Sequence, residues 1–341
     1  MLAFDSEKYI AAQTEALRER ITKFPKGKLY FEIGGKLLND SHASRVLPGF
    51  DPNSKLKVLQ NFTGEYGIIF CVNSLDVQKG RIWTPGETYL QTLLKTLEEI
   101  SAAGLVKPLI AINVYKRESE TDKVITELQN RGYEVFIRYN ILGYPNNIDE
   151  IVGPNGYGKD EYLAFDQPLV AVTSLGTNSG KMSTCLGQIY LDTFRGMDSG
   201  YAKYETFPIW NLPITHPVNL AYEAATMDTG NVAMLDHYHQ EAHGAIAVNY
   251  NRDVEIFPIL TRIRAYIVAP DNFMHSYKSP TDMGINLAKE GILDEPAIIA
   301  AAIAEIKARI QAYQTLSTQD QSAGWVARCE ALLAKAESYS L

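Results

Sequence analysis

The sequence predicts an α/β protein built on a Rossmann-like, doubly wound, mostly parallel sheet, with a helical C-terminal segment. Three observations predict it. Short apolar runs of strand length alternate with helical stripes, the pattern of βαβ units. Several of those runs are apolar on both faces, as strands buried in a parallel sheet are. From about Asp294 onward only helical periodicity remains.

Taken in order, Ile10, Leu17, Ile21 and Phe24 form one face of an N-terminal helix, followed by a strand at 29–33. A strand at 67–72 leads to Leu90, Leu93, Leu94, Leu97 and Ile100, a helical stripe opened by Thr84-Pro85 and closed by Gly104. A strand at 109–114, a helix at 118–131 and a strand at 134–139 complete two consecutive βαβ units. The segment 140–160 is rich in Gly, Pro and Asn and has no periodicity. It is expected to separate an N-terminal α/β region, 1–150, from a second α/β region, 161–293, unless it is a long loop within one sheet. The pattern restarts with a strand at 169–173, a helix at 181–195 and a strand at 201–207. In the helical segment 294–341, Ile299, Ile303, Ile306, Ile310 and Tyr313 repeat at helical spacing, as do Val326, Cys329, Leu332 and Leu333. All these stripes read first as core; the Ala/Ile helix at 297–313 is also a candidate contact between copies of a homo-oligomer.

Composition excludes several function classes. The 341 residues carry 40 acidic and 32 basic side chains, a net charge of −8 without a basic cluster. That is unsuited to non-specific nucleic-acid binding, which needs many cation–phosphate contacts. Cys71, Cys185 and Cys329 are too far apart for a Cys-x-x-Cys knuckle and odd in number, which favours a reducing compartment. The apolar stretch 296–304 is about half a membrane span, and the charged first residues lack the apolar core of a signal peptide. The expectation is a soluble, cytoplasmic protein with a small anionic ligand, no nucleic acid and no membrane.

The most informative segment is Leu169-Val-Ala-Val-Thr-Ser-Leu-Gly-Thr-Asn-Ser-Gly-Lys-Met-Ser-Thr184. A buried strand enters a glycine turn and leaves it as a helix. Backbone amides of Gly176, Thr177, Asn178, Ser179 and Gly180 would cradle phosphate, aided by the helix N-terminus and the Lys181 ammonium. A hydroxyl on the first helical turn, which carries Ser183 and Thr184, would hold Mg²⁺ beside the phosphates. The turn departs from G-x-x-x-x-G-K-[ST]: three residues separate its glycines, and Met182 stands where the hydroxyl belongs. Ser183 lies about 100° further round the helix. Locally the turn is similar to the variant phosphate loops of Mur ligases and dethiobiotin synthetase. A turn that only packs helix on sheet, with Lys181 in solvent, would use the same residues.

Other constellations could serve that ligand. Alternate strand residues share a face, so Lys203 and Glu205 would lie together, as charge partner and, with Ser183, magnesium ligand. The run Asp236-His-Tyr-His-Gln-Glu-Ala-His243 puts His239 and His243 at i and i+4, with Asp236 one turn earlier, a pair able to share a metal; His239 is also a candidate acid–base. Arg252 suits a phosphate or carboxylate clamp, and Asp253 suits a helix cap. Lys36, His42 and Arg45 form a basic loop after the first strand, and Gly156-Tyr-Gly-Lys159 is a third Gly-Lys turn.

Together these residues favour an enzyme that binds a nucleoside triphosphate with Mg²⁺, or a phosphometabolite, for ligase-like or phosphotransfer chemistry. Lys203, Glu205, His239 and Arg252 are its catalytic candidates, with the acceptor against 237–253. Two alternatives stay open: a non-catalytic nucleotide- or metabolite-binding regulator, and a metal-dependent hydrolase centred on His237, His239 and His243.

Longer strings carry a resemblance: His42-Ala-Ser-Arg-Val-Leu-Pro-Gly-Phe-Asp51, Gly156-Tyr-Gly-Lys-Asp-Glu-Tyr162, Gly200-Tyr-Ala-Lys-Tyr-Glu-Thr-Phe-Pro-Ile-Trp-Asn-Leu-Pro213, His216-Pro-Val-Asn-Leu-Ala-Tyr-Glu-Ala-Ala-Thr226, Asn249-Tyr-Asn-Arg-Asp-Val-Glu-Ile-Phe-Pro258 and Tyr277-Lys-Ser-Pro-Thr-Asp-Met-Gly284. Over roughly 5–290 the chain resembles a bacterial family catalogued as domain of unknown function 1846. The resemblance implies a cytosolic α/β protein of nucleotide-binding type and no established activity. Members of that family continue further at the C-terminal side than Leu341.

Overall fold

The computed structural model describes residues 2–227, 230–315 and 319–339. In chain order its elements are α1 (Ser6–Thr22), β1 (Leu29–Ile33), α2 (Ser41–Val46), α3 (Ser54–Gln60), β2 (Tyr66–Asn73), α4 (Ser74–Gln78), α5 (Tyr89–Ala102), β3 (Leu109–Tyr115), α6 (Ser119–Asn130), β4 (Val135–Tyr139), α7 (Ile148–Ile151) and β5 (Leu169–Ser174). They continue as α8 (Lys181–Thr193), β6 (Gly200–Tyr204), α9 (Pro217–Ala225), β7 (Ala233–Leu235), α10 (His237–His243), β8 (Val248–Tyr250), α11 (Asn251–Ile267), α12 (Pro280–Met283), β9 (Gly284–Ile285), α13 (Glu295–Gln314) and α14 (Gln319–Glu337).

Seven strands form one parallel sheet in the order β4-β3-β2-β5-β1-β6-β9. The six strands expected from apolar runs are observed as β1 to β6, and β1, β2 and β5 are buried along their whole length. Strands from either side of 140–160 interleave, since β1 lies between β5 and β6. Strand β6 ends at Tyr204 rather than 207 because its outer neighbour, β9, offers only Gly284 and Ile285 as partners. Helix α5 begins at Tyr89, not at Thr84-Pro85, because Thr88 and Gln91 make a reciprocal capping box there. Strands β7 and β8 pair separately, antiparallel.

The connectivity places a crevice. The chain leaves β2 toward β3 and β4, but leaves adjacent β5 in the other direction, toward β6. With right-handed crossovers, such a reversal puts helices on both faces and opens a cleft beyond the strand C-termini, where ligands of doubly wound sheets bind. The β5–α8 turn stands at that reversal.

Helix α8 is fixed by buried polar contacts as well as by its apolar face. Asp192, fully buried, accepts from the hydroxyls of Tyr30 (2.9 Å), Tyr162 (2.7 Å) and Ser199 (2.6 Å), with Lys28 Nζ 3.5 Å away. Arg138, on β4, donates to the carbonyls of Ser183 (2.9 Å) and Thr184 (3.2 Å) and pairs with Asp160 at 2.8 Å. A side chain at Gly187 would collide with that guanidinium, 2.7 Å from its Cβ position. The C-terminal helices α13 and α14 pack on each other and on α9, where Arg328 meets Glu223 at 2.7 Å and the Tyr313 hydroxyl reaches the Ala224 carbonyl at 2.9 Å. The three cysteines are free and buried, and among the described residues no helix is long and apolar enough to cross a membrane.

Replacing Asp192 by Ala leaves the buried Lys28 ammonium and three hydroxyls without their acceptor. Breaking a buried pair in this way costs about 3–5 kcal/mol. Urea denaturation is expected to show a loss of that size in Asp192→Ala; a loss no larger than that of a surface substitution would contradict the anchoring role.

Candidate functional site

The crevice opens into a cavity of about 1130 Å³, walled by the loops after β1, β3, β4, β5 and β6 and by the first turns of α11. The glycine turn forms one wall. Gly176 must lack a side chain, since a Cβ there would lie 2.3 Å from the Trp83 ring. Gly180 takes φ +83°, which L-residues rarely adopt, and Asn178 takes φ +60°. Two asparagines at the ends of adjacent strands tie the turn back: Asn73 donates to the Asn178 carbonyl at 2.7 Å, and Asn113 to the Ser179 carbonyl at 2.8 Å. These asparagines are register partners across β2 and β3. Next to Asn113, Val114 holds φ +57°, a strained conformation for a β-branched residue, and the β3–β4 ladder shifts register there. Among the described residues, the amides of Gly176, Thr177 and Asn178 donate to no backbone oxygen.

Lys181 opens α8 and is only 8 % exposed, so the solvated lysine of a merely structural turn is not what forms. Its Nζ has two distant, uncharged acceptors, the Ser174 hydroxyl at 3.4 Å and the Gly176 carbonyl at 3.3 Å. Among the described residues no carboxylate lies within 4.0 Å of it. Arg252, 74 positions along the chain, donates to the Asn178 side chain at 3.0 Å and so borders the same turn. Ser183 lines the cavity, whereas Thr184 does not. The Thr184 hydroxyl is fully buried, 3.1 Å from the Asn113 side-chain oxygen and 2.9 Å from the Gly180 carbonyl, and pins helix to sheet.

Elsewhere in the lining Lys203 lies between two carboxylates, Glu205 at 2.7 Å and Asp253 in direct contact. Asp253 is therefore not the cap of α11; the cap residue is Tyr250, and Asp253 turns inward from the first turn. Glu32 joins this group, accepting from the Tyr201 hydroxyl at 2.7 Å.

His239 does not share this cavity. It faces a neighbouring one of about 440 Å³ with His243, and Glu205 lines both. His237 is exposed and lies tilted against the Tyr238 ring, centroids 4.0 Å apart, so it is no part of the histidine pair. Asp236 is likewise no ligand beside them: it caps α10, accepting from the His239 amide at 3.1 Å, and takes the Thr281 hydroxyl at 2.7 Å. Lys36 stands exposed at the rim of the large cavity; Arg45 is drawn off to Glu305 at 3.5 Å, and the His42 side chain lies outside the described residues.

With this geometry in place, the family described as "Domain of unknown function DUF1846, N-terminal" matches residues 2–337. The chain belongs to that family. It is 42 % identical over 318 residues to a UPF0371 protein of Streptococcus equi subsp. equi, covering 92 % of this chain and 63 % of the relative. It is 42 % identical over 306 residues to a UPF0371 protein of Clostridioides difficile, covering 89 % and 60 %. A UPF0371 protein of Streptococcus pneumoniae serotype 2 is 41 % identical over 315 residues, covering 92 % and 62 %. The chain thus spans about three fifths of the length of the relatives it matches.

In this family member the charges around Lys203 do not balance. One ammonium serves Glu205 and Asp253, with Glu32 near, and burial removes the water that would otherwise support the second carboxylate. Burial thus pushes the Glu205 carboxyl up, to about 7, against the opposing pull of Lys203. The same carboxylates outweigh desolvation at Lys203 and raise its ammonium above the ordinary lysine range. A carboxyl that keeps its proton to higher pH when folded stabilises the fold fully below its unfolded value of 4.5, and that contribution fades as pH rises toward 7. Glu205→Gln removes this dependence. Stabilities from urea denaturation at pH 5 and pH 7.5 should show the wild type losing roughly 2 kcal/mol relative to Glu205→Gln between the two; parallel behaviour of the two proteins would contradict the imbalance.

Proposed function

We propose that the large cavity binds a phosphorylated small molecule, with a magnesium-bound nucleoside triphosphate as the leading form, and that the chain serves ligase-like or phosphotransfer chemistry on it. The observation that carries this reading is the Lys181 ammonium: buried, lining a cavity and, among the described residues, with no carboxylate within 4.0 Å. An uncompensated buried cation is costly unless a counter-ion arrives, and a phosphate at the turn would supply one. The turn amides, the start of the 13-residue helix α8 and the Arg252 guanidinium surround the same place, and each favours an anion.

The group around Lys203 suits the rest of such a ligand. Its carboxylates Glu205, Asp253 and Glu32, together with the Ser183 hydroxyl, offer oxygen donors of the kind magnesium prefers. Lys203 is placed to offset charge that moves during transfer. A cavity of about 1130 Å³ has room for a nucleotide and an acceptor together.

Thermal unfolding with inorganic pyrophosphate, ADP and ATP, each with and without Mg²⁺, tests the reading. A ligand at 100 times its Kd stabilises by about 2.7 kcal/mol, and Lys181→Ala or Arg252→Ala is expected to abolish most of that. No stabilisation by any of the three, or full stabilisation in Lys181→Ala, would reject it. Release of phosphate or diphosphate from bound ATP–Mg²⁺ with candidate acceptors separates a catalyst from a binding protein.

A further inference from the structure

The smaller cavity holds a group of side chains that the anion site does not use. His239 and His243 project from one face of α10, with ring centroids 4.5 Å apart. Asp282 reaches them from α12, 39 positions beyond His243. Its Oδ1 lies 3.0 Å from His243 Nε2 and 3.5 Å from His239 Nδ1. One donor atom from each of the three residues can be chosen so that all lie within 4.8 Å of one another.

We propose that His239, His243 and Asp282 form a binding site for one divalent transition-metal ion, with open coordination positions facing the smaller cavity. Spacing is the first support. Metal bonds of about 2.0–2.2 Å to imidazole nitrogen and carboxylate oxygen place neighbouring ligands roughly 3.0–3.5 Å apart, by the geometry of an octahedron or a tetrahedron. The distances from Asp282 Oδ1 to the two imidazoles fall there.

Pre-organisation is the second support. Asp282 Oδ2 accepts from the amides of Lys278 (2.8 Å) and Ser279 (3.1 Å) and also lies 3.1 Å from His243 Nε2, so the carboxylate is fixed with Oδ1 within reach of both histidines. Asp236 bonds the His239 amide on one side and the Thr281 amide (3.1 Å) and hydroxyl (2.7 Å) on the other, so one carboxylate latches both ligand-bearing elements together. Ser279 gives up its 3.1 Å contact with His239 Nδ1 when that nitrogen's single lone pair goes to a metal, while its oxygen still accepts from the Asp282 amide at 3.1 Å. Such outer contacts fix ligand orientation in metal sites.

Donor chemistry selects the ion. Two imidazoles and one carboxylate suit Zn²⁺, Fe²⁺, Co²⁺, Ni²⁺ or Mn²⁺, while Mg²⁺ and Ca²⁺ favour all-oxygen sets. Three protein ligands are the number found where a metal keeps positions for water or substrate. Arg20 and Lys23 line the same cavity, so an oxyanion is the class of molecule suited to those positions. The site lies apart from Lys181 and does not depend on the reading of the larger cavity.

The test titrates Co²⁺ into the chelator-treated chain and follows visible d–d absorption, with Zn²⁺ as competitor. One equivalent per chain, displaced by Zn²⁺, is expected. His243→Ala and Asp282→Asn should each weaken binding by at least about tenfold, and Lys181→Ala should bind as wild type. His243 is partly exposed and Asp282→Asn keeps the side-chain shape, so an unchanged thermal midpoint in either verifies folding. Absence of d–d bands, sub-stoichiometric uptake, or unaltered affinity in a folded variant would overturn the proposal and leave plain histidine–aspartate hydrogen bonds.

Discussion

A buried guanidinium sets the position of the helix that frames the larger cavity. Arg138 comes from β4, at the sheet edge, and its donors take the carbonyls of Ser183 and Thr184 in the first turns of α8. Carbonyls near a helix start ordinarily face down the helix into its own bonds; here they also accept from outside, which fixes where the helix begins and how it is rotated. The arrangement needs Asp160 to balance the charge and Gly187 to make room. Asp192 fixes the other end of the same helix against β1 and against Ser199, the residue that leads into β6. Between these anchors the glycine turn has little freedom, and Asn73 and Asn113 remove most of what is left. A rigid turn with unengaged amides is a better anion receptor than a mobile one, because ordering is completed before the ligand arrives.

Charge is distributed unevenly across the cavity. Near the turn stands a buried ammonium with, among the described residues, no carboxylate within 4.0 Å; around Lys203 one ammonium is shared among several carboxylates. A ligand that is anionic at one end and carries a metal or a polar acceptor at the other would relieve both imbalances at once. Neither group achieves that alone, and the net charge of −8 says nothing of it.

Much of the fold is legible in the sequence because its cause is local. Double-faced apolar runs make β2 and β5 recognisable, and the stripe from Leu90 to Ile100 makes α5 so. Strand β9 is not legible, since two residues carry no period, and its pairing with β6 is set by tertiary placement. The glycine turn stands out through composition, but the reason for Gly176 is a tryptophan 93 positions earlier. Thr184 and Asp253 show the converse. Each fits a local rule, as hydroxyl on the first helical turn or as cap, and each is claimed instead by a partner that only the fold brings near. Asp282 is invisible from the histidine run for the same reason: it lies 39 positions beyond His243, and only the fold joins them.

Phosphate at the Gly176–Lys181 turn is the proposal on which the larger cavity's reading depends. Amide NMR of the isotope-labelled chain, titrated with pyrophosphate, addresses it most directly. Saturable shifts concentrated at the amides of Gly176 through Lys181, with the Asp192 end of α8 unmoved, are the predicted result. Saturable binding that leaves those amides unshifted would contradict it.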